Sequence, residues 1–522
     1  MPKLTDRRAL QAGFLLLLLV FAVSVFYRYP VLIDDTLNRV HQYLLAHSTL
    51  IASNWQRAGF FNLHGLATWN VYSIETSTPE LMKVYSSFPA GAFVLPYFVS
   101  WLLQLEVTPR TFQVYALLNQ LLIALTVFGL ARQLTSTIAN RVIERLVLCL
   151  LPAFAILFAP GYMWHFGSTW FGEQAGVLPF VAVVYFDVLG LKGNKHARWW
   201  AFAVVLFGTY CDPAFFLEVS FVRFLLKFFE RKKSTSFKDS FFSSGVEAFA
   251  PFAIAVFLHL SQLVTLYGAQ RLWDFVVHAL DHIKPPADRP ITLKMLWMAY
   301  TTDYLHMAYG RLRYFLPLII AGLVAIFFLR PALRERRFVF LSLLAAPFLH
   351  LLVWKTHARH HSFNTVRFDA FVALMTFMMV PLVLSESLKK VTRLRLIVAL
   401  SAILLVLAAR HWKGVYRDVF VASRVVDYPE DSVPRAKLIN KTFGFEHLLF
   451  SSDFWIDDFH ELTLVAHSKK AVYQIKALEN TQDPIKQNPK AIPVLLFTQK
   501  NRDHGCSNVK VLSDSLYYCF LK

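Results

Sequence analysis

The sequence predicts a polytopic all-α membrane protein of about eleven transmembrane helices, with juxtamembrane helices in a long first exoplasmic loop and a small soluble α/β domain at the C-terminus. Three observations predict it. Of 522 residues, 56% are hydrophobic and only 17% charged, with a mean hydropathy of +0.45; soluble domains run near about 25% charged. Apolar runs recur from residue 12 to residue 409. The loops between them alternate between basic segments and segments rich in His, Trp, Asp and Glu. Phe alone (49 residues) outnumbers Asp plus Glu (34), which excludes a disordered chain, and four cysteines are too few for a disulfide scaffold.

The first run, Ala12 to Phe26, follows Lys3, Arg7 and Arg8, so the positive-inside rule keeps the N-terminus cytoplasmic. It leaves through Tyr27-Arg28-Tyr29-Pro30 with no small-x-small cleavage pattern, and so reads as a retained anchor rather than a signal peptide. Phe88 to Leu105 is apolar too, but a crossing there would put every later basic loop outside. Pro89, Gly91 and Pro96 weaken it as a span, and it reads as a juxtamembrane or re-entrant helix. Spans follow near 112–131, 147–163, 176–191, 199–211, 213–229, 246–267, 314–329, 338–354, 368–385 and 396–409. The basic loops carry Arg132/Arg141/Arg145, Lys192/Lys195/Arg198, Arg231/Lys232/Lys233, Arg330/Arg334/Arg336/Arg337 and Lys389/Lys390/Arg393/Arg395, all on the cytoplasmic face. The C-terminus is then exoplasmic.

Residues 1–409 form the membrane domain and residues 410–522 the soluble one. The latter holds 16 Lys+Arg against 13 Asp+Glu, or +3, so +16 of the total +19 lies in the membrane part. The excess charge reports topology, and a nucleic-acid partner loses its support. In the tail, His447–Phe450, Ile492–Phe497 and Val509–Leu512 read as strands, and Leu462–Ile475 as a helix or a further strand. Cys506 and Cys519 lie on the oxidising side, where a disulfide and two free thiols are both open; Cys149 and Cys211 read as apolar packing.

Chemistry gathers on the exoplasmic side. Ile33-Asp34-Asp35-Thr36 follows the first span directly, and two adjacent carboxylates at a membrane surface are costly unless solvated, paired or used. They suit the first turn of a helix, and an Asp aimed from there into a cavity suits a general base. In the second exoplasmic loop, Trp164 and Trp170 fit an interfacial aromatic belt, which leaves Glu173 unexplained at the head of an apolar helix. Asp212 before Pro213 is a weaker case at a tight turn. His278 and His282 are four apart, near Asp281, a weak metal signal without a further ligand. The most informative loop runs from Trp354 to Arg367. Its Lys355, His357, Arg359, His360, His361 and Arg367 are exoplasmic against the topology rule, and such a cluster suits an anion, either a bound phosphate or lipid headgroups.

An acidic pair just after a first span, then a long loop ending at Tyr85-Ser86-Ser87-Phe88-Pro89 before a juxtamembrane helix, resembles the GT-C class of integral-membrane glycosyltransferases. These include the protein O-mannosyltransferases and the lipid A aminoarabinose transferases; the resemblance covers roughly residues 1–410 as an architecture with short motifs. It implies Asp34 as catalytic base with Asp35 as its partner, and Glu173 and His282 as residues that face the site and orient the acceptor. It implies that Lys355, His357, Arg359, His361 and Arg367 hold the donor phosphate. Where the aminoarabinose transferases have an acidic-basic pair before the Pro, this chain has Ser87-Phe88, so a metal site built on that acid lacks its ligand here. A divalent cation, if one is used, falls to Asp35 and Glu173.

The resemblance implies an inverting transfer of a sugar from a polyprenyl-phosphate donor to a hydroxyl on a glycan, lipid or protein acceptor. A multi-span transporter or flippase for a lipid-linked or anionic substrate is the alternative, but transporters place charges and broken helices within the membrane. A non-catalytic partner of such an enzyme is a third reading. Compact loops favour a bacterial inner membrane; the Asn440-Lys441-Thr442 sequon leaves the endoplasmic reticulum open.

Overall fold

In hydrocarbon a chain must satisfy its backbone hydrogen bonds within each segment, so apolar runs of this length fold as helices. The computed structural model describes residues 2–32, 43–68, 84, 89–136, 142–232, 236–269, 272–273, 277, 292–298, 334–354, 362–385, 390–421, 438–439, 441–442, 447–451, 472–474, 492–497, 509–513 and 516–520. Its helices are α1 (Pro2–Leu32), α2 (Tyr43–Ala58), α3 (Gly91–Leu102), α4 (Pro109–Thr135), α5 (Val142–Phe158), α6 (Pro160–His165), α7 (Gly172–Leu191), α8 (Ala197–Cys211), α9 (Pro213–Arg231), α10 (Phe237–Tyr267), α11 (Leu293–Met298) and α12 (Arg334–Val353). A compound helix follows: a 3-10 stretch Ser362–Phe368, α13 (Asp369–Leu374), a π stretch Met375–Met379 and α14 (Val380–Ser385). Then come α15 (Lys390–Val415) and a π stretch Tyr416–Val421.

Local chemistry sets the boundaries. Thr108 and Thr111 form a capping box at the head of α4, with Pro109 in the first turn. Ser236 Oγ accepts the Asp239 N–H at the head of α10, and Gly268 at φ 78° ends that helix. The predicted run 147–163 is divided, because Pro160 has no N–H to continue the ladder and instead starts α6. The expected juxtamembrane segment is α3. At 12 residues it is about 18 Å long, too short to cross.

Among the described residues, six stretches are long and apolar enough to cross a membrane: Gln11–Leu32, Pro109–Thr135, Gly172–Leu191, Phe237–Tyr267, Asn364–Leu382 and Thr392–Asp418. The chain is a multi-pass integral membrane protein. Helices α5, α8, α9 and α12 match further predicted runs at 17, 15, 19 and 20 residues, and 314–329 lies outside the described residues. The Asn364–Leu382 stretch is 83% buried and forms the axis of the bundle; α1, α10 and the α15 span are 22% buried and form its outer face. Phe14, Leu15 and Phe26 of α1, Phe242 and Phe257 of α10, and Val406 of α15 are exposed, an apolar surface suited to lipid.

The basic loops gather at one end. Lys192 Nζ donates to the Gln133 carbonyl at 2.8 Å and to Ser136 Oγ at 3.2 Å, and Arg393 pairs with Glu144 at 2.7 Å. Asp187 on α7 receives Arg223 at 2.7 Å and Lys227 at 2.7 Å, and Lys227 and Arg231 both reach Glu247 on α10. Helices starting at this end therefore return their other ends to a common opposite face.

In the tail, β1 (His447–Ser451), β2 (Val472–Gln474), β3 (Ile492–Phe497), β4 (Lys510–Ser513) and β5 (Leu516–Phe520) form one sheet of order β2-β1-β3-β5-β4. β1 is parallel to β2 and β3, while β5 is antiparallel to β3 and β4, with Leu449 opposite Val494 and Leu496 opposite Tyr518. The three expected strands are present. The expected helix-or-strand segment contributes Val472–Gln474 as a strand, and its remainder and Cys506 lie outside the described residues. Cys149 and Cys211 are buried free thiols, as expected.

At the far end α3 packs directly on the backbone of α8: a Cβ on Gly91 would lie 2.6 Å from the Tyr210 carbonyl carbon. Gly91→Ala should lower the melting temperature in detergent through overpacking worth roughly 1–3 kcal/mol. Gly190→Ala, with no atom within 4 Å of its Cβ, should leave it unchanged or higher. Equal melting of the two variants would contradict this packing.

Candidate functional site

The site is built around the turn between α8 and α9. Asp212 ends α8 and caps α9: its Oδ1 accepts the Phe215 N–H at 3.1 Å while Pro213 fills the first turn. Its Oδ2 pairs with Arg367 Nη2, and both side chains are 1% exposed. The Arg367 guanidinium lies over the Phe215 ring, 4.3 Å from its centroid. One edge of the cation is thus fixed by a carboxylate and one face by an aromatic ring. Nε and Nη1 have no hydrogen-bond partner among the described residues.

Two turns further along α9, Glu218 is buried; its Oε1 accepts Trp354 Nε1–H at 2.8 Å, and Oε2 lies 3.5 Å from His350 Nδ1. His350 stacks on Trp354 and meets Phe215 edge-on. Trp354 and Arg367 are the two ends of the predicted anion loop. Both are therefore fastened to α9, one through Glu218 and one through Asp212.

Helix α7 forms another wall. A Cβ on Gly176 would lie 3.7 Å from Asp212 Oδ2, and Glu173, one turn earlier on the same face, is 2% exposed. The segment before it is locked from two sides: Trp170 Nε1 donates to the Ala92 carbonyl of α3 at 2.9 Å, and Ser48 Oγ of α2 donates to the Trp170 carbonyl at 2.5 Å. His47 stacks on Phe171.

Helix α6 joins this region to the end of α1. Arg28 Nη1 donates to the Met163 carbonyl at 3.1 Å, and a Cβ on Gly167 would meet Leu32 at 3.3 Å. Tyr162 on α6 is fully buried, and its phenol is held well above its ordinary range, first by burial and then by the Asp369 carboxylate. Asp369 heads α13, is 2% exposed, and neither of its oxygens has a hydrogen-bond partner among the described residues.

Glu173 and Arg367 are thus brought to one region. Asp34, Asp35, His282, Lys355, His357, Arg359 and His361 lie outside the described residues, although the ends of the segments carrying Asp34 and the 355–361 cations, at Leu32, Trp354 and Arg367, border this region. Asp212, rated weaker from sequence, is the partner of Arg367. Glu218 and Asp369 escaped sequence reading; the visible signal was a lone carboxylate inside each apolar run. Among the described residues no three or more His, Cys, Asp or Glu converge to hold a metal ion.

No family model and no curated protein matches the sequence. Solved structures do match the fold. ArnT from Cupriavidus metallidurans bound to undecaprenyl phosphate superposes with a TM-score of 0.60 at 10% identity, over 98% of this chain and 97% of that one. The archaeal oligosaccharyltransferase AglB from Archaeoglobus fulgidus, in complex with an inhibitory peptide and a dolichol-phosphate, gives 0.56 at 10% identity over 93% and 69%. Both are GT-C glycosyltransferases, and the chain has the GT-C fold the sequence resemblance implied.

Asp212→Ala should destabilise the protein by about 3–5 kcal/mol, because it leaves a buried guanidinium unpaired. Adding Arg367→Met should recover most of that loss in a detergent melt; a double variant as unstable as the single one would contradict the pairing. Asp369→Leu should raise the melting temperature, since an unsatisfied buried polar group costs roughly 1–3 kcal/mol. A fall would show that the carboxylate is a structural support.

Proposed function

We propose that the protein is an integral-membrane glycosyltransferase that moves a sugar from a polyprenyl-phosphate donor to an acceptor hydroxyl on the exoplasmic face. The observation that carries this reading is Arg367: a buried cation, held by Asp212 and Phe215, with Nε and Nη1 open to an anion. Each of these N–H groups can donate to an anion's oxygen, and a buried donor costs free energy until it meets an acceptor. The undecaprenyl phosphate on ArnT and the dolichol-phosphate with AglB are lipid anions of this chemistry.

In this reading the basic end is cytoplasmic and the shorter helices also cross, giving about eleven spans, and the compact loops support a bacterial plasma membrane location. The donor's tail lies in the bilayer and its phosphate is held by Arg367 with Lys355, His357, Arg359 and His361. Asp34 takes the proton of the acceptor hydroxyl as that oxygen attacks the anomeric carbon. The bond from this carbon to the phosphate oxygen breaks with inversion, and the cations stabilise the departing lipid phosphate. Asp35, Glu173 and His282 orient the acceptor, a glycan, lipid or protein. The residues that follow the Thr392–Asp418 span form the exoplasmic domain and cover the acceptor side.

Membranes carrying the protein should release polyprenyl phosphate from polyprenyl-phosphate sugars. Asp34→Asn should reduce that release by roughly 10²–10⁴-fold, the usual range for a general base, and Arg367→Lys should weaken donor binding more than turnover, because the planar group that holds Asp212 and still offers further N–H donors is lost. Unimpaired transfer by Asp34→Asn would remove the base assignment.

A further inference from the structure

The turn between α7 and α8, at the basic end, opens into a cleft of about 640 Å³ that the transfer reaction does not use. Asn194, Lys195, Arg198, Trp199, Phe202 and Glu247 line it. It is remote from the candidate active site: Arg198 is near the start of α8 and Asp212 follows its end, about 21 Å along the helix.

Its charges are unevenly spent. Glu247 is already held by Lys227 and Arg231, and neighbouring Lys192 is engaged with Gln133 and Ser136. Lys195 and Arg198 make no hydrogen bond or ion pair among the described residues. A smaller adjoining cleft of about 140 Å³ shares Gly190, Arg198 and Glu247; its Asp187 is neutralised by Arg223 and Lys227, and Glu230 also borders it. Two cations thus face the larger cleft without a carboxylate of their own.

The other wall is apolar and aromatic, formed by Trp199 and Phe202, with Trp199 75% exposed. Indoles on the outside of a membrane helix near its end sit at the headgroup level. A ligand here meets two cations at one end and an apolar surface at the other, within the volume range of small-molecule pockets.

We propose that this cleft is a binding site for an anionic phospholipid, with the headgroup phosphate on Lys195 and Arg198 and the glycerol and upper acyl chains along Trp199 and Phe202. Basic pockets between helices on the cytoplasmic side bind anionic headgroups by this chemistry. The site is independent of the glycosyltransferase reading and needs no substrate to test.

The full chain in detergent, titrated with dioleoylphosphatidylglycerol or dioleoylphosphatidylcholine and followed by native mass spectrometry and thermal melting, provides the test. Wild type should retain and be stabilised by phosphatidylglycerol in preference to phosphatidylcholine. Lys195→Ala/Arg198→Ala should lose that preference by on the order of thirtyfold, from about 1 kcal/mol per cation. The control Lys232→Ala/Lys238→Ala removes the same charge from the same end of the bundle, outside the cleft, and should keep the preference. Equal loss in both variants would reduce the effect to diffuse surface charge and overturn the site. So would an unchanged preference in Lys195→Ala/Arg198→Ala, or inorganic phosphate stabilising the wild type as well as the phospholipid does. Arg198→Gln provides the same comparison if the double variant melts early without lipid.

Discussion

The ion pair between Asp212 and Arg367 joins the two halves of the chain on which the site depends. Asp212 turns α8 into α9, and Arg367 enters the most buried helix of the bundle. A buried pair contributes little net stability beside well-packed apolar residues, because desolvation offsets attraction. What it does contribute here is direction. With Nη2 on Asp212 and the guanidinium face on Phe215, the remaining N–H groups have one orientation.

The same constraint fixes the two ends of the 355–366 segment. Trp354 is fastened to Glu218 and Arg367 to Asp212, six residues apart on α9. Beside this frame, Glu173 heads α7 and the end of α1 rests on the segment after α6. Asp369 and Tyr162 are buried polar groups with no hydrogen-bond partner among the described residues, as happens where a ligand rather than the fold completes the bonding.

Much of the architecture was legible because charge and apolar length act locally. The five basic loops could be assigned to one face from sign alone, and contacts such as Lys192 with Gln133 and Arg393 with Glu144 now join several of them. Pro96 and the shortness of α3 kept Phe88–Leu105 out of the span count. The division at Pro160 was missed because Ala155 to Met163 is apolar throughout and hydropathy does not register a lost N–H. In the site, Arg367 and Glu173 were found as charges out of place. Glu218 was not, since its partner Trp354 is 136 residues away, and Asp369 was hidden beside the more conspicuous cations of its own loop.

The central claim is that Arg367 is a preorganised phosphate receptor at the membrane end of the bundle. An experimental structure of the protein with undecaprenyl phosphate measures this most directly. The account predicts a phosphate oxygen within hydrogen-bond distance of Arg367 Nε or Nη1, with the Asp212 pair intact. A phosphate bound elsewhere, with those two N–H groups turned onto protein atoms, would contradict it.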